Sequence, residues 1–133
     1  MQRLLKFFLI LLVFCLGLSW SYSSGKVKIP SVREISVSGD RSASEVYGTI
    51  EQNVSTLRLT YNQYLENVSG FAGRVILELA ISSDGTVEDC LVEESTTGVS
   101  DFDEMIRNLV SGWRFEKAEG GNASAKFPIV FTE

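Results

Sequence analysis

The chain has 133 residues, 44% of them apolar, with 12 Lys and Arg against 17 Asp and Glu and no His. That apolar share is ordinary for a globular protein, and 11 Gly and 2 Pro exclude a collagen-like or wholly disordered chain. A net charge of −5 argues against nucleic acid as a partner, and the lack of His removes the commonest general base and metal ligand.

Residues 1–24 have the layout of an export segment. Arg3 and Lys6 precede a continuous apolar run from Phe7 to Leu18, and Ser19 to Ser24 turns small and polar. The run is shorter than the roughly 20 residues that span a bilayer, which favours cleavage near Ser21 or Ser23. A retained N-terminal membrane anchor is the alternative. Cys15 follows Phe14, a bulkier residue than a lipid-attachment signal accepts. Without this segment the chain carries a net charge of −7 and only Cys90 as a thiol, so an intramolecular disulfide is excluded. Glu88, Asp89 and Glu93 flank Cys90 and disfavour a thiolate, which points to a buried structural cysteine.

Residues 25–39 read as a short tether, with Ile35-Ser36-Val37 as a brief strand, and residues 40–133 as one domain. Ser42 or Ser44 caps a long helix whose Val46, Ile50, Val54, Leu57, Tyr61 and Leu65 follow a helical period. Gly48 inside it costs about 1 kcal/mol relative to Ala. Tyr47, Tyr61 and Tyr64 are assigned to the core and its rim.

Val75, Leu77, Leu79 and Ile81 then alternate with a second set, the period of a strand with one buried face. Ser83-Asp84-Gly85 supplies a reversal, and a second strand runs from Thr86 to Glu94. Val87 is out of phase with Cys90 and Val92, which places a β-bulge near Glu88-Asp89. Ser100 is expected to cap a second helix, with Asp101 and Asp103 in its first turn. Its apolar stripe is Phe102, Met105, Ile106, Leu109, Val110 and Trp113, with Trp113 and Phe115 as core anchors.

A closing strand from Lys126 to Thr132 turns Phe127, Ile129 and Phe131 toward the core. Pro128 cannot donate to a ladder, so this strand is expected at a sheet edge. The fold class is α+β, two helices packed on a three-stranded antiparallel sheet in the order α-β-β-α-β, with residues 73–82 in the middle. Lys126, Phe127, Pro128, Ile129 and Val130 form this free edge, which is open to strand addition or blunted by Pro128.

No nucleophile has a base beside it, and no Ser sits in a nucleophile-elbow sequence. The acidic residues between Glu88 and Glu104 lack calcium-loop spacing and read as a solvated rim. An enzyme, a cofactor and a metal are all not expected.

The order of a helix with Leu57-Arg58 and Tyr61, a hairpin turned at Asp84-Gly85, the word Ser95-Thr96-Thr97-Gly98, Phe102-Asp103 opening a helix, Trp113-Arg114-Phe115 ending it, and a final Phe127-Pro128-Ile129-Val130-Phe131 resembles the C-terminal domain of the TonB family. The similarity runs from about Ser38 to the C-terminus and is nearest to the AgmX/PglI branch. It implies a non-catalytic envelope binding module, periplasmic and either soluble or tethered to the inner membrane through residues 1–24. It also implies protein partners, an ExbB/ExbD-type motor and an outer-membrane receptor, in energy-coupled transport, with a receptor peptide added as a strand at the edge Lys126, Phe127, Pro128, Ile129 and Val130. The AgmX-like alternative is a scaffold of an envelope or gliding-motility complex. The chain departs from TonB proteins in having no Pro-rich spacer, since about 15 extended tether residues reach only roughly 50 Å.

Overall fold

The computed structural model describes residues 25–133. The export segment or anchor assigned to residues 1–24 lies outside the described residues. Among those described, no helix is long and apolar enough to cross a membrane.

The hairpin organises the domain. Strands β3 (Gly73–Ile81) and β4 (Val87–Ser95) pair antiparallel, and Val75, Leu77, Leu79 and Ile81 are fully buried, as their alternation requires. Gly85 closes the turn at φ 94°, where a side chain would also collide with the Phe115 carbonyl. Instead the Phe115 N–H donates to the Gly85 carbonyl at 2.9 Å. The Asp84 carboxylate accepts from the Ser82 hydroxyl and from the Thr86 N–H, bonds that hold its pKa down at about 2.

Two helices cover one face. Helix α1 (Ala43–Asn67) starts at Ser42, whose hydroxyl accepts from the Glu45 N–H at 3.2 Å. Val46, Ile50, Leu57, Tyr61 and Leu65 are buried, while Val54 is only half-buried. Tyr61 donates its hydroxyl to the Phe71 carbonyl at 2.6 Å, so its polar end is satisfied inside the core. Tyr47 and Tyr64 pack at the core rim.

Helix α2 (Ser100–Ser111) differs from expectation at its start. Val99, not Ser100, is the N-cap, and no side chain caps it directly. Thr97 takes over: its hydroxyl donates to Asp103 at 2.6 Å and accepts from the Val99 N–H at 3.3 Å, fixing the entry one residue earlier. Phe102, Ile106 and Val110 are buried, but Met105 is 40% exposed, so the stripe is narrower than the sequence suggests. Trp113 and Phe115 are buried, and Trp113 stacks on Phe127 with the rings 2° from parallel.

The closing strand β5 (Ala123–Thr132) lies beside β3, with Phe127, Ile129 and Phe131 fully buried. Two further strands come from the tether, β1 (Lys26–Lys28) and β2 (Ser36–Ser38), and both pair antiparallel with β5. The sheet is therefore five-stranded, running β4, β3, β5 and then β1 and β2 in succession along the far side of β5. The α+β class and the central place of β3 stand, and the strand count rises from three to five.

Candidate functional site

The two sides of β5 are built differently. Toward β3 it makes an unbroken ladder of nine register pairs, from Gly73 opposite Phe131 to Ile81 opposite Ala123. Away from β3 the ladder is split. Lys26–Lys28 lie opposite Val130–Thr132, and Ser36–Ser38 lie opposite Ser124–Lys126. Between them the tether leaves the sheet. Pro30, with fixed φ and no N–H, follows β1, and a 3₁₀ turn at Val32–Glu34 carries the chain aside. Ser31 donates from its N–H and hydroxyl to Glu34 Oε1, and these bonds lower the Glu34 pKa.

This arrangement corrects one expectation. Lys126, Phe127, Pro128, Ile129 and Val130 lie on an interior strand and not at a free edge. The physical reason is that the tether carries apolar residues with a place to go. Ile35 is buried, and Val27, Ile29 and Val37 pack against the core, so the chain covers its own edge. Pro128 is tolerated because it lies midway along the stretch, Phe127 to Ile129, that the tether leaves unpaired. The signal for β1 was present in Lys26-Val27-Lys28-Ile29, whose alternation matches a half-buried strand. It is too short to separate from an extended linker by pattern alone.

Beyond its two ladders and its apolar contacts, the tether makes few hydrogen bonds to the rest of the domain. The Gly25 N–H donates to Asn62 Oδ1 at 2.7 Å, the Ser38 and Ser124 hydroxyls lie 2.5 Å apart, and the Gly121 N–H donates to Asp40 at 3.1 Å. Lys26, Lys28, Ser36, Ser38 and the whole Ser31–Glu34 turn are exposed.

The opposite border of the sheet is β4, and its register skips twice. Glu88 is left out between the pairs Ala80–Asp89 and Ile81–Val87, as the sequence led us to expect, and Glu93 is left out between Ile76–Glu94 and Leu77–Val92. Two bulges and a row of carboxylates are how edge strands avoid accidental pairing. An isolated bridge from Arg114 to Thr86 closes one end of this edge. Leu91 stands 54% exposed among the acids.

Across the face away from the helices, Lys126 Nζ reaches Glu93 at 2.6 Å. That bond, with the nearby Glu78 and Glu94 charges, raises the Lys126 pKa, although a solvent-exposed pair of this kind adds little stability. Cys90 is 2% exposed, as expected, and burial pushes its thiol pKa up to about 11. Among the described residues no group of three or more His, Cys, Asp or Glu is placed to hold a metal ion.

Comparison with characterised proteins and with solved structures returns no match. The model of one family, described as Gram-negative bacterial TonB protein C-terminal, matches residues 66–132. The matched span holds the hairpin, α2 and β5, and it begins after the tether and most of α1. Because the match covers half of the chain, the chain belongs to the TonB C-terminal family.

Proposed function

We propose that the chain is a non-catalytic protein-interaction module of the bacterial envelope that binds an extended segment of a partner by adding it as a strand to the outer edge of β5, at Lys126–Val130, in exchange for the tether. One observation carries this reading: that edge already accepts two antiparallel strands, from the chain's own residues 26–28 and 36–38, and leaves its middle open. A partner running straight along β5 replaces both short ladders and covers the gap as well. Each backbone hydrogen bond is worth a net of about 0.5–1.5 kcal/mol, and Pro128 withholds one donor, so the exchange is close to balanced and the affinity modest.

In the setting of the family, the partners are an ExbB/ExbD-type motor in the inner membrane and an outer-membrane receptor, with the chain as their adaptor in energy-coupled transport. The second reading, a periplasmic scaffold of an envelope or gliding-motility complex as in the AgmX/PglI branch, is favoured by the short tether. Retention of residues 1–24 separates the two, because transduction needs a membrane attachment and a passive scaffold does not.

The strand exchange is tested with a lock. Ser38→Cys with Ser124→Cys places two thiols where two hydroxyls now meet, and oxidation should fix the tether to β5. The probe is a synthetic peptide of residues 25–38 at roughly millimolar concentration, comparable to the effective concentration of a short linker. It should bind the reduced protein weakly and the oxidised protein not at all. Equal binding to both forms would exclude the β5 edge and leave β4 with its acidic flank as the surface.

A further inference from the structure

The tether occupies the outer edge of β5, so its contacts state what that edge accepts. Val27, Ile29 and Val37 are partly buried against the core and Ile35 is buried, while Lys26, Lys28, Ser36 and Ser38 face solvent. Between the pairs Lys28–Val130 and Ser36–Lys126 the tether advances eight residues while β5 advances four. Carrying each register one step inward sets Ile29 beside Ile129 and Ile35 beside Phe127, so residues 30–34 fill the place of a single residue opposite Pro128. A straight strand needs no such detour. Its inward positions, opposite Phe131, Ile129, Phe127 and Ala125, are four apolar sites in alternation, and the one held by Ile35 is the deepest.

One further position is more selective than these. Carrying the β1 register one step outward sets Gly25 opposite Glu133, on the same inward face as Val27. Gly25 is buried, and its N–H donates to Asn62 Oδ1 at 2.7 Å. A Cβ built on Gly25 lies 2.5 Å from Tyr61 Cδ2, 2.6 Å from Tyr61 Cε2 and 2.9 Å from Leu65 Cδ1. Tyr61 is held in place: it is fully buried, its hydroxyl donates to the Phe71 carbonyl at 2.6 Å, and the Phe71, Phe102 and Phe131 rings lie 5.1, 5.7 and 5.2 Å from its own. Helix α1 therefore closes this notch to any side chain, while Asn62 accepts from a backbone N–H that comes close.

A partner that takes over the edge follows the same path and meets the same wall. We infer that the edge selects a segment of nine residues, opposite Glu133 back to Ala125, that begins with glycine and is apolar at its third, fifth, seventh and ninth positions. The inference rests on the strand exchange proposed above. Alternation alone leaves the register open to slips of two residues, and the glycine removes them, because each such slip brings a side chain into the notch. A slip of one residue turns the whole apolar set to solvent.

The test titrates the whole chain with two acetyl-capped peptides, Gly-Lys-Val-Lys-Ile-Ser-Ile-Ser-Val and the same peptide with Leu in first place. The Val27 and Val37 amide resonances report displacement of the tether. The glycine peptide should displace it saturably, and the leucine peptide should bind about tenfold more weakly or worse, the cost of overpacking against a fixed wall. A second arm works from within the chain. Gly25→Leu should lower the hydrogen-exchange protection of the β1 amides by about tenfold or more and tighten binding of the glycine peptide, since it weakens the competitor. Unchanged β3 protection reports that this variant is folded. If both peptides displace the tether with equal affinity, strand exchange stands and selection of glycine is overturned. If Gly25→Leu keeps wild-type protection in β1, selection is overturned from the tether side. If neither peptide displaces the tether, strand exchange and the inference that rests on it both fall.

Discussion

β5 carries two seams that share one backbone and differ in almost everything else. On the β3 side the ladder is continuous and the side chains beneath it, Phe127, Ile129 and Phe131, are fully buried under the helices. On the tether side the pairing comes in two pieces of three residues, and most of the paired side chains face solvent. Hydrogen bonding alone cannot distinguish the seams, because each bond contributes a similar net amount. What distinguishes them is the amount of apolar surface buried, three fully buried aromatic and aliphatic side chains against Ile35 and the partly buried Val27, Ile29 and Val37, and on the proposed reading this leaves the outer seam separable from the core.

The sharpest way to break the comparison is to attack each seam with a matched truncation. Trp113→Ala removes the ring that stacks on Phe127 above the inner seam, and it should destabilise the domain by about 3–5 kcal/mol, as emptying a large aromatic site does. A loss below about 1 kcal/mol in urea unfolding would mean that this side is not the core. Val37→Ala on the outer seam should cost clearly less, about 1 kcal/mol, because its side chain is only partly buried. Equal losses from the two substitutions would erase the distinction.

The inner half of the sheet should also carry a pH signature that the outer half lacks. Cys90, opposite Leu79 on β3, has a native pKa of about 11 against an ordinary 9.0, because burial disfavours the thiolate. Its raised native value means that its contribution is fully present below about pH 9 and is lost as pH rises toward 11. Unfolding free energies of the wild type and Cys90→Ala should converge or cross over that window. A constant difference would show that Cys90 does not titrate from a buried site. Pro128→Val exchanges one buried apolar side chain for another of similar size at a position with no strand on the outer side, so a stability change below about 1.5 kcal/mol is expected. Its consequence should instead be a restored donor, read as tighter binding of the 25–38 peptide or as edge-to-edge dimers in sedimentation.

Much of the fold is legible in the sequence because it rests on periodicity that covers many residues. Val75 to Ile81, the α1 stripe and Phe127 to Phe131 each repeat a buried set often enough to fix both element and face, and the displaced Val87 betrays the bulge at Glu88. The errors fall where a signal spans only a few residues. Three residues such as Lys26–Lys28 do not distinguish a strand from a linker, and the edge placement of the closing strand was read from Pro128, which cannot donate to a ladder, in a sheet of three expected strands. A proline indicates that a ladder is interrupted on one side, but it does not show whether that side is solvent or a partner that steps away. The Thr97 entry to α2 was likewise hidden by Ser100, a good capping residue one position past the actual N-cap, Val99.

The separability of the outer seam is tested most directly by native-state hydrogen exchange resolved to single amides. The account predicts that the amides of β1 and β2 exchange through a local opening, with protection lower than that of β3 by roughly two orders of magnitude or more, about 2.7 kcal/mol, while β3 amides exchange only on global unfolding. Oxidation of the Ser38→Cys, Ser124→Cys pair should bring β2 close to the β3 level. If the tether amides of the unmodified protein are already as protected as those of β3, the tether is an integral part of the core and strand exchange at β5 is excluded.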